Sequence, residues 1–157
     1  MPRSAETASF RFNHTMLRVK DAQVSLKFYT EVLGMELADK AEFETFTLYF
    51  LVYNEGDQVT NHETRFAREG VLELTHNHGT ESDPNFKGYA NGNSDPGRGF
   101  GHIAITVDDI QTACDRFEKL GVKFQKRLQD GRMRHIAFIL DPDGYWIEIV
   151  PNHLPKI

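Results

Sequence analysis

One strand-like motif occurs twice in the chain, and this repeat constrains the fold more than any other feature of the sequence. Residues 12–21 read FNHTMLRVKD, and residues 100–109 read FGHIAITVDD. His102 follows His14 by 88 residues, and the aspartates that end the two motifs are separated by the same 88 residues. A constant offset of this kind indicates two copies of one supersecondary unit.

The ends of the two copies match as well. LELTHN at 72–77 aligns with IEIVPN at 147–152, and both segments carry a glutamate between aliphatic residues. Glu73 therefore corresponds to Glu148. Each repeat begins with a histidine on its first strand and closes with a glutamate on its last.

Within each repeat, the pattern predicts a strand, a helix and three further strands. Asp21 can cap the first helix and Gly34 can end it. Asp108 or Asp109 can cap the second, which Gly121 ends. The apolar positions of the first helix are Val24, Leu26, Phe28, Val32 and Leu33. The expected strands are 14–19, 35–38, 46–52 and 70–76 in the first repeat, then 102–107, 122–126, 135–140 and 146–150 in the second. The fold class is α+β, with two βαβββ repeats.

The segment between the repeats is rich in Gly, Asn, Asp and Pro, which is typical of a linker or a long functional loop. The predicted organisation is a flexible N-terminal leader at 1–11, a first βαβββ repeat at 12–78, a linker or long loop at 79–99, and a second repeat with a C-terminal tail at 100–157.

Composition excludes several classes of protein. The net charge of −5 gives no basic field for nucleic acid, and no apolar run approaches the length of a membrane span. Cys114 is the single cysteine, so an intrachain disulfide is impossible. These features predict a cytoplasmic protein that binds neither nucleic acid nor membrane.

The recurring histidine and glutamate suggest a metal site. Side chains alternate across a strand, so Glu73 and Glu148 point away from their aliphatic neighbours. Taken singly, each glutamate is explained by a solvent-facing position and each histidine by a polar strand end. Two units that turn the same sheet face toward one cleft would gather His14, His102 and both glutamates. Two imidazoles and two carboxylates suit a divalent transition metal such as Zn²⁺, Ni²⁺ or Co²⁺.

Several longer motifs carry a family resemblance. They are FNHTMLRVKD, SLKFYTEVLGM, LYFL, LELTHN, NGNSDPGRGFGH and AFILDPDGYWIEI. From about residue 12 to 152, the chain resembles glyoxalase I (lactoylglutathione lyase) of the vicinal-oxygen-chelate superfamily. The extra residues around 54–69 and 81–96 are similar to those of the longer, Zn²⁺-associated form. The resemblance implies curved mixed sheets around a metal-containing cleft and a homodimer with shared active sites.

The resemblance also implies roles for individual residues. The metal ligands would be His14, Glu73, His102 and Glu148, with Glu148 as the catalytic base and Glu73 in a mirror role. The γ-glutamyl end of glutathione would meet Arg18, Asn77 and Arg98. The glycyl carboxylate would meet Lys126, the Gly131–Met133 backbone and Arg132. The apolar pocket would contain Phe43, Leu48, Phe50 and Met133, which ordinary core packing explains equally well.

Two positions depart from the family pattern. Animal members of the long form have glutamine where this chain has His14, which leaves the metal preference open among Zn²⁺, Ni²⁺ and Co²⁺. An extra Gly97 stands inside SDPGRGFGH, where relatives read SDPRGFGH, and it can shift Arg98.

The implied activity is isomerisation of the hemithioacetal of methylglyoxal and glutathione to S-D-lactoylglutathione, by proton abstraction and enediolate stabilisation. Two alternatives stay open within the superfamily. One is an Fe²⁺ extradiol-type dioxygenase, which needs two histidines and one carboxylate. The other is a metal-free small-molecule binding protein.

Overall fold

A computed structural model of the chain describes residues 3–153. These residues form two compact units, one that ends at Phe86 and one that begins at Lys87. Each unit contains a four-stranded mixed sheet. The predicted α+β class with two βαβββ repeats is confirmed. The expected leader and tail lie partly outside the described residues, at 1–2 and 154–157.

In the first unit, the described residues give the strand order β1-β4-β3-β2. Strands β1 and β4 are parallel, and the other neighbours are antiparallel. A short 3₁₀ turn precedes β1, and helix α1 continues directly into a π-helical segment. The bounds are Ala5–Thr7 for the 3₁₀ turn, His14–Val19 for β1, Ala22–Lys27 for α1, Phe28–Val32 for the π-helical segment, Glu36–Glu42 for β2, Phe46–Val52 for β3 and Val71–Asn77 for β4.

The second unit repeats this plan, with the strand order β5-β8-β7-β6. Again the first and last strands are parallel, and the remaining pairs are antiparallel. The bounds are His102–Val107 for β5, Ile110–Lys119 for α2, Phe124–Lys126 for β6, Ala137–Leu140 for β7 and Trp146–Pro151 for β8.

Alternation along the strands decides which face of each sheet packs into the core. In β1, Leu17 and Val19 are buried, while His14 and Arg18 on the opposite face are exposed. The largest fully buried aliphatic side chains of the strands are Val19, Leu51, Val52 and Leu74 in the first unit and Ile139, Ile147 and Ile149 in the second.

The predicted ends of the first helix are confirmed. The Asp21 carboxylate accepts hydrogen bonds from the backbone N–H groups of Gln23 and Val24 at 2.9 and 3.3 Å. After the π-helical segment, Gly34 has a φ of 75° and donates its N–H to the Thr30 carbonyl. This left-handed conformation favours glycine.

The buried face of the first helix does not follow its most apolar residues. The side chains that are buried there are those of Ala22, Ser25 and Tyr29. Val24 is 51% exposed instead. Ala22, Ser25 and Tyr29 are three and four residues apart, so the buried stripe keeps the helical period of 3.6 residues but does not include Val24.

Three strand bounds differ from the prediction by two residues or more. Strand β2 extends to Glu42 rather than ending at Ala38. Strands β6 and β7 begin two residues later than expected, at Phe124 and Ala137. Among residues 3–153, no helix has the length and apolar character needed to cross a membrane.

Candidate metal centre and substrate site

The first half of the candidate site lies on two neighbouring parallel strands. His14 begins β1, and Glu73 lies in β4. Their side chains approach to 3.3 Å between His14 Nε2 and Glu73 Oε2. The histidine is about one-third exposed, whereas the carboxylate of Glu73 is mostly buried. The pair therefore lies at the accessible face of the first sheet.

The second half repeats the arrangement. His102 begins β5, and Glu148 lies in the neighbouring parallel strand β8. The distance from His102 Nε2 to Glu148 Oε2 is again 3.3 Å. Because the strand order and the distance are the same, the two pairs are structurally equivalent.

The chemistry of each pair fits a divalent metal ion. Nitrogen and oxygen ligands lie about 2.0–2.2 Å from Zn²⁺ in proteins, so two ligands of one ion lie about 3.0–3.5 Å apart. The 3.3 Å separation in each pair agrees with that range. Within residues 3–153, no group of three or more His, Cys, Asp or Glu side chains is close enough to hold a metal. The gathering of all four ligands stays a prediction.

Two of the residues predicted for the apolar pocket lie on the face of the first sheet that carries Glu73. Phe50 in β3 is the register partner of Glu73, and Leu48 pairs with Thr75. Phe50 is 2% exposed and Leu48 is half-buried. Phe43 lies between β2 and β3, where its exposed ring stacks on another aromatic ring at 4.6 Å.

An insert of residues 54–69 covers part of this sheet face. Its Arg65 forms an ion pair with Asp39 of β2 at 2.6 Å between Nη1 and Oδ2. The Arg65 guanidinium also lies over the rings of Phe50 and Phe66, with centroid distances of 4.7 and 4.5 Å. The Phe66 ring in turn lies 6.4 Å from the His14 ring. These contacts of Arg65 could not be predicted from the sequence, because no sequence pattern connects a strand aspartate to a loop arginine.

Arg18 and Asn77, predicted to bind the γ-glutamyl end, lie at the far end of the same strands. Arg18 pairs in register with Thr75, two residues before Asn77. Strand alternation places Arg18 on the same face of the sheet as His14, and it places Asn77 on the same face of the sheet as Glu73. The loop after Asn77 is fixed by Glu81, whose carboxylate accepts from the Gly79 N–H at 2.9 Å.

In the second unit, an aromatic ring packs against the His102–Glu148 pair. Phe138 of β7 is the register partner of Glu148. Its ring meets the His102 ring edge to face, with a centroid distance of 5.2 Å and an interplanar angle of 78°. Lys126 of β6 pairs with Phe138 on the outer side.

The Lys126 ammonium group, predicted to bind the glycyl carboxylate, holds its own loop in this structure. Nζ donates to the carbonyls of Arg127, Met133 and Ile136 at 3.1, 2.7 and 2.8 Å. An ammonium group has three donors, so these contacts can use all of them. Lys126 thereby fixes the loop that carries Arg132 and Met133, both of which are exposed.

Arg98 lies in the long segment before β5, where it is largely exposed. Its Nε is 3.4 Å from Asp95 Oδ1. The extra Gly97 has a φ of 102°, a conformation that L side chains rarely adopt. The additional residue is therefore accommodated by a glycine-specific turn immediately before Arg98.

Cys114 is not part of this chemistry. It is buried in α2, and burial raises the pKa of its thiol to about 11. At neutral pH the group is a protonated thiol rather than a nucleophilic thiolate. The sequence-based prediction of a buried, small hydrophobic residue is confirmed.

Comparison with known proteins connects this geometry to a family. The model for the Glyoxalase/Bleomycin resistance protein/Dioxygenase superfamily matches residues 11–149. This chain belongs to that superfamily. The match includes all four histidine and glutamate residues of the two pairs.

Two relatives place the chain within the glyoxalase superfamily. It is 57% identical over 151 residues to a protein named lactoylglutathione lyase from Pseudomonas putida, covering 92% of this chain and 86% of the relative. It is 53% identical over 159 residues to a protein of the same name from Schizosaccharomyces pombe. That match covers 99% of this chain and 52% of the relative, so the chain spans about half of the fungal protein.

A solved structure supports the fold of this superfamily member. Glyoxalase I from Leishmania major, described as trypanothione-dependent, aligns with a TM-score of 0.66 and 34% sequence identity. The alignment covers 91% of this chain and 87% of the other.

Proposed function

We propose that this chain is a glyoxalase I that converts the hemithioacetal of methylglyoxal and glutathione to S-D-lactoylglutathione. The observation that carries the proposal is the recurrence of one His–Glu pair, at 3.3 Å, on equivalent strands of both units. The 57% identity to a lactoylglutathione lyase over most of both chains supports it. The activity removes 2-oxoaldehydes without net oxidation or reduction, and we propose that it takes place in the cytoplasm, where glutathione keeps thiols reduced.

The reaction moves a proton between adjacent carbons, and its difficulty is the weak acidity of the first carbon. A divalent metal held by His14, Glu73, His102 and Glu148 would supply Lewis-acid stabilisation of the negative charge that develops on the substrate oxygens. We propose Zn²⁺ as that metal, with Ni²⁺ and Co²⁺ as the alternatives to be tested.

Proton transfer is the task of the carboxylates. Glu148 takes the proton from C1 and returns a proton to C2, as a general base and then a general acid. Glu73 occupies the equivalent position in the first unit, so it takes the mirror role for the other diastereomer of the hemithioacetal. The partial burial of both carboxylates keeps them on the sheet face rather than in bulk solvent.

Cationic and apolar side chains bind the rest of the substrate. Arg18, Asn77 and Arg98 bind the γ-glutamyl end, since a guanidinium pairs bidentately with a carboxylate. Arg132 and the backbone of Gly131–Met133 bind the glycyl carboxylate. Lys126 attracts that carboxylate by charge, while its donors hold the loop. The methyl group of the substrate packs against Phe43, Leu48, Phe50 and Met133.

The proposed assembly is a homodimer in which each site combines the first unit of one chain with the second unit of the other. A mixing experiment tests it. One chain carries His14→Ala and Glu73→Ala, and the other carries His102→Ala and Glu148→Ala. Each is expected to be inactive alone, and an equal mixture after subunit exchange should regain about one quarter of wild-type activity. Failure to regain activity, with mixed dimers shown by mass spectrometry, would contradict the shared site.

The test of function is the ultraviolet assay for thioester formation from methylglyoxal and glutathione. Activity should vanish with chelator and return with the correct metal, and Zn²⁺, Ni²⁺ and Co²⁺ are compared at equal occupancy. Trypanothione in place of glutathione tests the choice of thiol. Oxygen uptake with Fe²⁺ and a catechol would favour the dioxygenase alternative, and tight binding of a small molecule without turnover would favour the binding protein.

A further inference from the structure

Asn13 lies between the proposed ligand His14 and the insert of residues 54–69. Its side-chain Nδ2 donates to the backbone carbonyls of Arg65 and Arg68, both at 2.8 Å. Its Oδ1 lies 2.7 Å from Nδ1 of His14. A single amide thus connects the metal-ligand histidine to the loop that covers its sheet.

The orientation of this amide follows from its partners. The carbonyls of Arg65 and Arg68 can only accept hydrogen bonds, so the NH₂ end of Asn13 must face them. The oxygen end must therefore face His14. An amide oxygen also only accepts, and the short contact requires that Nδ1 of His14 carry the proton.

This hydrogen bond determines the state of the other ring nitrogen. A neutral imidazole carries one proton, so protonation at Nδ1 leaves a lone pair at Nε2. Nε2 is the atom that lies 3.3 Å from Glu73 Oε2. A lone pair and a carboxylate oxygen repel each other at that distance unless a cation lies between them. The same neutral nitrogen is what a divalent metal requires as a ligand.

We propose that Asn13 is a positioning residue that fixes the tautomer and ring orientation of His14 for a divalent metal ion. The insert contributes by fixing Asn13 through two carbonyls. The inference rests on the proposed function, because that function makes His14 a metal ligand. The insert takes no part in the proposed chemistry, and this inference gives it an indirect role in metal binding through Asn13.

The second unit has no equivalent side chain. Gly101 precedes His102, as Asn13 precedes His14, and the Gly101 carbonyl accepts a hydrogen bond from Asn93 Nδ2 at 2.6 Å. The inference therefore assigns this support to the first half of the site alone.

The experiment compares Asn13→Ala with Asn54→Ala in the full-length chain. Asn54 is the matched control, because its Oδ1 accepts from Thr60 N and Arg68 Nη1 within the insert and its side chain makes no contact with His14. Zn²⁺ affinity is measured by competition with a chromophoric chelator. Asn13→Ala should bind zinc about tenfold more weakly than the wild type. Asn54→Ala should bind it like the wild type.

A spectroscopic readout separates positioning from general loosening of the insert. In the zinc-loaded, ¹⁵N-histidine-labelled chain, the Nδ1–H proton of His14 should give a slowly exchanging signal. Asn13→Ala should lose that protection. Asn13→Asp loses the two hydrogen bonds to the insert but retains the acceptor for the Nδ1 proton, so it should retain the signal and bind zinc more tightly than Asn13→Ala.

Three results would overturn the inference: a protected His14 signal in Asn13→Ala, equal weakening in Asn13→Ala and Asn54→Ala, or Asn13→Asp no tighter than Asn13→Ala. If Asn13→Ala does not fold, Asn13→Asp is compared with Asn54→Ala by the same two measurements. Loss of the His14 signal in Asn13→Asp would then overturn the inference. A wild-type chain that binds no zinc, nickel or cobalt refutes the metal proposal itself, whereas a zinc-binding wild type with unaltered variants refutes this inference alone.

Discussion

The two units hold equivalent His–Glu pairs by different means. In the first unit, a hydrogen bond from His14 to Asn13 fixes the imidazole, and the insert fixes the asparagine. In the second unit, the His102 ring packs against the edge of Phe138 instead. The distance within each pair is nevertheless 3.3 Å in both units.

This difference shows that the distance within each pair and the orientation of its imidazole have separate structural causes. Pairing between parallel neighbours fixes the distance between the two candidate ligands, because the register places His14 and His102 at matching positions beside the last strand. Side chains outside the pair contact each imidazole, from Asn13 and the insert in the first unit and from the neighbouring strand β7 in the second. A duplicated fold can therefore keep its ligand geometry while its supporting contacts diverge.

The largest expected effect distinguishes the two glutamates. Glu148→Gln should lower kcat about a thousandfold, because an amide cannot take the substrate proton. For the hemithioacetal diastereomer on which Glu148 acts as the base, Glu73→Gln should reduce kcat less than Glu148→Gln does. Both variants are measured at known metal content. Near-wild-type kcat in a metal-loaded Glu148→Gln protein would remove Glu148 as the base.

The next comparison concerns the two cores. Leu74 and Ile149 occupy matching positions in β4 and β8, and both are fully buried. Substituting either with alanine should lower the free energy of unfolding by about 2–5 kcal/mol, measured by urea denaturation. Leu120→Ala is the control, since that side chain is 52% exposed. A loss confined to one of the two buried positions would show that the cores are not equivalent.

A smaller effect is expected at the insert, which the second unit lacks. Asp39→Asn removes the charge partner of Arg65, and both side chains are nearly buried. The variant should lose about 1–3 kcal/mol of stability, with faster hydrogen exchange across residues 54–69. Glu118→Gln, which breaks the half-exposed pair with Arg127 in the second unit, should cost about 0–1 kcal/mol. Equal losses, or unchanged exchange in the insert, would contradict the role of the Asp39–Arg65 pair.

The smallest effect concerns the cap of α2. The Thr112 backbone N–H and hydroxyl lower the pKa of the Asp109 carboxyl below its ordinary value of 3.8. A group whose pKa is lower in the folded state stabilises the fold above its unfolded value and loses that contribution as pH falls through the folded value. Asp109→Ala should therefore lower Tm at neutral pH and lower it less in acid below that range. The same loss of Tm at both pH values would show that the carboxylate charge is not the cause.

Much of the fold was predictable, because it depends on local chemistry. The repeat predicted two similar sheets, and alternation predicted that Glu73 and Glu148 would point away from their aliphatic neighbours. The aspartate caps and the glycine after the first helix were predictable for the same reason. Pairing of a histidine with a glutamate in each unit followed from the matched ends of the repeats.

The supporting contacts could not be predicted in this way. Asn13 reaches Arg65 across 52 residues, and the path of the insert between them has no periodic pattern. The three carbonyls that occupy Lys126 Nζ depend on the turn of the 127–136 loop. Burial of Ser25 rather than Val24 depends on which face of α1 packs against the rest of the unit, and the apolar residues of the helix did not indicate that face.

Sequence alone determined the secondary structure, its duplication and the identity of the four candidate ligands, because residue type and spacing control hydrogen bonding and burial over a few residues. Only the tertiary structure decided which side chains orient those ligands. Such contacts join segments far apart in the chain, and they form only where packing brings a specific donor within reach of a specific acceptor.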